Sequence, residues 1–137
     1  MALSATLPDD GYIADACALI DFNAPVRRMG RAGMTAMIEG RIYVTGVTVW
    51  EILRKVRSGK LPIPLPTWFR GSYPEFLRQQ GYLSLGLGWE EATLAAELPP
   101  HHGDPMDRML IATALRMDLT VITADRVFRD YGVRTIW

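Results

Sequence analysis

Residues 104–125 read DPMDRMLIATALRMDLTVITAD. Asp104 before Pro105 is a helix start: the Asp side chain suits the N-cap, and the fixed φ of Pro105 suits the first helical position. Asp107 then falls in the first turn, where a negative charge favours the helix dipole. Apolar spacing carries the helix over 105–117, and the β-branched run at 120–123 follows almost at once. A helix feeding directly into a strand that ends on an acid, Asp125, is half of a crossover unit.

Outward from that stretch the same alternation fills the chain. Strands are expected over 12–14, 42–45, 83–85, 120–123 and 134–137, and helices over 26–39, 49–58, 74–80, 90–98 and 105–117. Strands joined by helical crossovers lie parallel and are covered on both faces. The expected fold is therefore an α/β domain of three layers, α/β/α, around a mainly parallel central sheet of about five strands.

With 137 residues, 49% hydrophobic and 22% charged, the chain suits one domain with a core of its own. Residues 1–11 read as an N-terminal extension and 12–137 as the domain. Cys17 is the single cysteine, which excludes an internal disulfide and a thiolate zinc site and suits a reducing compartment. Residues 1–11 lack the basic and apolar regions of a secretion signal, and no apolar run approaches the ~18 residues of a membrane span, so a cytoplasmic protein with no membrane contact is expected. The alternating prolines at 62–66 exclude helix and imply an extended connector inside the domain. Met29, Gly33 and Met37 share a helical stripe that reads as core rather than as a partner surface. Trp137 is expected against the edge of the sheet.

Lys plus Arg equals Asp plus Glu at 15 each, so bulk charge marks neither a general nucleic-acid binder nor an acidic tail. Thirteen of the 15 basic residues are arginine, the better fork for phosphate, although codon bias produces the same skew.

Four acids fall where a strand gives way to a helix: Asp15, Glu51, Asp107 and Asp125. In a parallel sheet the carboxyl ends of the strands share one edge, where ligands bind. Each acid also has a structural reading. Thr48-Val49-Trp50-Glu51 fits a capping box with Thr48 as the cap, and Asp104 caps the helix that holds Asp107. Asp15 can cap the segment beginning at Ala16, and Asp125 the short turn from Arg126 to Asp130. Together, though, four like charges are unfavourable without a cation, and Mg²⁺ or Mn²⁺ takes such oxygen ligands and supports phosphodiester hydrolysis.

At these residues the sequence resembles a PIN domain and, more narrowly, the VapC-type toxins of type II toxin–antitoxin pairs. The resemblance runs from Tyr12 to Trp137. It rests on Tyr12-Ile13-Ala14-Asp15-Ala16-Cys17, on Val47-Thr48-Val49-Trp50-Glu51 with Lys55, on His102-Gly103-Asp104-Pro105-Met106-Asp107-Arg108, and on Thr123-Ala124-Asp125 with Phe128 and Tyr131-Gly132. It places Asp15, Glu51, Asp107 and Asp125 at the family's catalytic acidic positions, with Asp15, Asp107 and Asp125 on the metal and Thr123 as a supporting hydroxyl. Cys17 departs from the Ser, Thr or Asn common two residues after the first acid, and is read as a small buried hydrophobe.

The resemblance implies a Mg²⁺- or Mn²⁺-dependent endoribonuclease toxin that cuts tRNA or rRNA, is inhibited by a VapB-type antitoxin, and forms a homodimer. Setting the four site acids aside leaves 11 acidic against 15 basic residues, which suits an RNA substrate. Arg108 and Arg126, beside two of the acids, are placed for phosphate contact. His101 and His102 read as a surface loop, with His102 near the substrate rather than on a zinc ion. Two rival readings differ in class. A phosphoacceptor receiver domain needs an acidic pair after the first strand and a late lysine, whereas Asp9-Asp10 precede that strand and no lysine follows Lys60. A non-catalytic RNA- or protein-binding module on the same fold reduces the acids to caps.

Overall fold

Short runs rich in β-branched and aliphatic side chains pair into a single sheet: β1 (Gly11–Ala14), β2 (Arg41–Thr45), β3 (Leu83–Leu85), β4 (Thr120–Ile122) and β5 (Thr135–Ile136). The computed structural model describes residues 11–61 and 72–137; the proline segment 62–66 and all but the last residue of the expected extension lie outside them. The strands lie in the order β3-β2-β1-β4-β5, and every pairing is parallel. Tyr12 stands between Ile42 and Thr120, and Ile13 between Tyr43 and Val121, so β1 is the central strand. The chain builds one half-sheet outward from β1 and then returns to its other side. Such a reversal of strand order opens a crevice at the carboxyl ends of the two strands concerned, here β1 and β4.

Among the described residues six helices complete the three layers: α1 (Ala16–Phe22), α2 (Arg31–Glu39), α3 (Gly46–Arg57), α4 (Tyr73–Gln79), α5 (Trp89–Glu97) and α6 (Pro105–Met117), with a 3-10 turn at Arg126–Tyr131. Strand periodicity assigns the faces. Ala14, Ile42, Val44 and Ile122 point to one side and pack with Leu19, Met37, Ile52 and Phe76 of the first four helices. Ile13 and Val121 point to the other, against Leu110, Ile111 and Ala114 of α6 and Phe128 of the 3-10 turn. The Val, Leu, Ile, Met and Phe side chains buried this fully contribute roughly 1.5–3 kcal/mol each. Arg116 Nε ties α6 to α5 at 2.6 Å from Glu91 Oε2, while Glu91 Oε1 accepts the Gly88 N–H at the start of α5.

Two helical expectations change. The helix expected over 26–39 begins at Arg31, because the segment before it is gathered onto Asp21. The Asp21 carboxylate accepts the main-chain N–H groups of Arg28 and Met29, each at 2.9 Å, and Arg27 Nε donates to the Phe22 carbonyl. Met29 therefore precedes the helix, yet Met29, Gly33 and Met37 are all buried, as a core stripe should be. Gly33 is required there: a Cβ would stand 2.5 Å from Met29 Cγ and 2.8 Å from the Trp137 carbonyl carbon. The second change is at α3, expected over 49–58 but starting at Gly46. Thr45, not Thr48, is its N-cap, with the Thr45 hydroxyl accepting from Thr48 N at 3.3 Å.

Candidate functional site

The crevice is built from the chain turns that leave β1 and β4. Asp15 follows β1 in extended conformation and caps α1, its Oδ1 accepting the Ala18 N–H at 2.8 Å. Its side chain is buried, and the Thr123 hydroxyl is hydrogen-bonded to the carboxylate. Burial raises this carboxyl from the ordinary 3.8 to about 6, the Thr123 and Ala18 bonds hold it lower, and the charges of Glu51 and Asp125 add to the rise.

Asp107 sits in the first turn of α6, whose cap is Asp104, with Asp104 Oδ1 accepting the Met106 N–H at 2.9 Å. Burial first and the Asp104 charge second raise the Asp107 carboxyl to about 6, against the opposing effect of His102. Asp125 caps the 3-10 turn through Oδ1 and the Val127 N–H at 3.0 Å, while its own N–H donates to Thr123 Oγ1 at 3.0 Å. Because α3 begins at Gly46, Glu51 lies in its second turn and makes no capping bond among the described residues. Its Oε2 meets Lys55 Nζ, one turn further along, at 3.2 Å.

These elements bring Asp15, Glu51, Asp107 and Asp125 to the wall of one cleft of about 80 Å³ at the carboxyl edge of the sheet. Cys17 and Thr48 line it too. Cys17 is exposed there rather than a buried hydrophobe. Partial desolvation and the neighbouring Asp15 charge push its thiol up to about 11, so the sulfur is not a thiolate at neutral pH.

His102 carries more than its place in a surface loop implied. Its Nε2 lies 2.9 Å from Asp107 Oδ2 and 3.0 Å from Asp125 Oδ2. His102, Asp107 and Asp125 thus offer three ligand-type atoms within 4.8 Å of one another. A histidine two residues ahead of a capping Asp was the available signal, since the turn swings its ring back over the helix start.

Arg108 does not stand over the acids. Its guanidinium is spent on the carbonyls that close α5, with NH2 2.8 Å from Ala95 O and 2.6 Å from Leu98 O, and NH1 2.8 Å from Pro99 O. A helix C-terminus presents unpaired carbonyls, and a planar fork satisfies several at once. Arg126 is exposed and makes no hydrogen bond or ion pair among the described residues.

The donor set fits a hard divalent cation. It consists of carboxylates, two of them displaced upward by burial first and by neighbouring carboxylates second, in a cleft without thiolate; a cation relieves that repulsion. Asp15, Asp107 and Asp125 are the residues that would hold it.

A parallel α/β sheet with acids converging at its carboxyl edge defines the class of protein, and comparison with known sequences and structures supplies the family. A sequence model of the PIN domain matches residues 12–133. The chain belongs to the PIN domain family. No curated protein matches it in a sequence comparison. Among solved structures it is similar to FitAcB from Neisseria gonorrhoeae, with a TM-score of 0.62 and 16% identity over 92% of this chain and 96% of that one. It is similar as well to FitAB bound to an IR36 DNA fragment, with a TM-score of 0.62 and 15% identity over 91% of this chain and 93% of that one. VapBC2 from Rickettsia felis, bound to a DNA fragment from their promoter, matches with a TM-score of 0.59 and 9% identity over 91% and 96%. Among the described residues no helix is long and apolar enough to cross a membrane.

Proposed function

We propose that this protein is a Mg²⁺- or Mn²⁺-dependent endoribonuclease, a VapC-type toxin that cleaves tRNA or rRNA in the cytoplasm. Its partners in this reading are a VapB-type antitoxin and a second copy of the chain. The observation that carries it is the convergence of Asp15, Glu51, Asp107 and Asp125 on one cleft where the strand order reverses. Membership of the PIN family and likeness to the FitAB and VapBC2 complexes support the toxin assignment.

The metal, when bound, supplies charge neutralisation at the phosphoryl oxygens and lowers the pKa of a bound water. Asp15, Asp107 and Asp125 would hold it. Glu51 orients the attacking water and takes its proton, with the Lys55 ammonium holding the carboxylate in place. The water oxygen forms a bond to phosphorus as the bond to the leaving oxygen breaks in line. Thr123 fixes Asp15, and Arg126 is free to meet a backbone phosphate.

The non-catalytic binding module accounts for part of the geometry, since Asp15, Asp104 and Asp125 do cap helical turns. It gives no role to Glu51 and Asp107, which accept no main-chain N–H among the described residues. Thermal unfolding of wild type and Asp107→Asn in EDTA, Mg²⁺ and Mn²⁺ tests the metal site. A ligand at 100 times its Kd stabilises the native state by about 2.7 kcal/mol. A metal-dependent rise that disappears in the variant is expected; equal rises in both proteins would place the ion elsewhere.

A further inference from the structure

Among the described residues, His102 places one ring nitrogen against the carboxylates of two of the four site acids, and it is held from several directions. Its main-chain N–H donates to Tyr131 Oη at 2.8 Å, its carbonyl accepts Arg108 NH1 at 3.3 Å, and its ring stands edge-on to buried Phe128. The decisive contact is at the far side of the ring, where Asp104 N lies 3.1 Å from His102 Nδ1. A main-chain N–H can only donate, so Nδ1 presents a lone pair and the ring hydrogen is carried by Nε2. That Nε2–H points between Asp107 Oδ2 at 2.9 Å and Asp125 Oδ2 at 3.0 Å. A metal-bound histidine has the opposite arrangement: one nitrogen gives its lone pair to the ion, and the other donates its N–H to a carboxylate or carbonyl. Here the group facing the second nitrogen is a donor, which disfavours that tautomer.

We propose that His102 is a positioning residue and not a metal ligand: its Nε2–H draws the Oδ2 atoms of Asp107 and Asp125 together. It thereby fixes carboxylates carried by α6 and by the 3-10 turn in the geometry a divalent cation needs. The inference rests on the metal-site reading above and adds how that site is preformed.

Calorimetric titration of the full chain with Mg²⁺, Mn²⁺ and Ni²⁺ tests it, using wild type, His102→Ala, His102→Phe and His102→Gln. Loss of an outer-shell partner weakens metal binding about 10- to 100-fold. His102→Ala is expected to lose affinity for all three ions by a common factor in that range. His102→Phe, which keeps a ring against Phe128 but has no donor, is expected to match it and carries the test if the Ala variant does not fold. His102→Gln, whose amide donates from a similar position, should recover most of the loss. A loss confined to nitrogen-seeking Ni²⁺ would make His102 a ligand and overturn the proposal. Unchanged affinity for every ion in the donor-free variants would overturn it as well, and leave the metal site standing. Failure of wild type itself to bind any of the ions would instead remove the metal-site reading, and this inference with it.

Discussion

The Thr123 hydroxyl is bonded to the Asp15 carboxylate, and the same oxygen accepts the Asp125 N–H at 3.0 Å. One buried side chain thus couples the acids that follow β1 and β4, the two strands between which the order reverses. Thr123→Val keeps the shape and removes both bonds. The orphaned Asp125 N–H should cost about 1–3 kcal/mol in urea denaturation. Loss of a donor that holds Asp15 down should also raise its carboxyl above about 6, moving the midpoint of Mg²⁺ binding to higher pH. Thr123→Ser should restore the binding midpoint.

Burial places the Asp15 and Asp107 carboxyls at about 6, against 3.8 ordinarily. Between those values the folded, metal-free chain holds protons that the unfolded chain has released, so this part of its stability is present below about pH 4 and is lost as pH rises through about 6. Cation binding requires the ionised acids, so the increment given by Mg²⁺ should grow over the upper part of the same window. Unfolding midpoints from about pH 4 to 8 should therefore show the EDTA curve falling relative to that of Asp15→Asn, while the gap between Mg²⁺ and EDTA widens. A gap independent of pH would contradict the assignment of Asp15 and Asp107.

Arg108 closes the C-terminus of α5, its guanidinium bonded to carbonyls there rather than standing over the acids. Arg108→Ala leaves the carbonyls of Ala95 and Leu98 without their guanidinium donor, while Pro99 keeps the Tyr131 hydroxyl, and should destabilise the protein by about 2–3 kcal/mol in urea denaturation. Arg126→Ala should leave stability within about 0.5 kcal/mol and weaken RNA binding at low salt. Filter binding at two salt concentrations separates the pair; the reverse pattern would restore Arg108 as the phosphate contact.

The sheet was legible because its strands are short apolar runs ended by turns, and the acids because Asp15 and Asp125 follow β1 and β4 closely while Glu51 and Asp107 fall in the opening turns of helices, all local signals. Residues 83–85 and 105–117 are bounded in the structure as in the sequence reading. What was not legible depends on contacts distant in sequence. Helix α1 has only seven residues, too short for a clear period, and the segment before α2 is folded by Asp21 from seven and eight residues back. The start of α3 slipped because Thr45 and Thr48 are both adequate caps in sequence, and the strand end selects the first. Arg108 and His102 traded significance for one reason: both reach Tyr131, more than twenty residues away, and no local pattern reports that meeting.

In the proposed function the acidic cleft cuts RNA with a divalent cation. The most direct measurement is cleavage of total cellular RNA by wild type and Asp107→Asn, each in EDTA, Mg²⁺ and Mn²⁺. Discrete cleavage products with metal, none in EDTA, and a loss of at least about 100-fold in the variant are expected. Cleavage that persists in EDTA, or that Asp107→Asn leaves intact, would contradict the account.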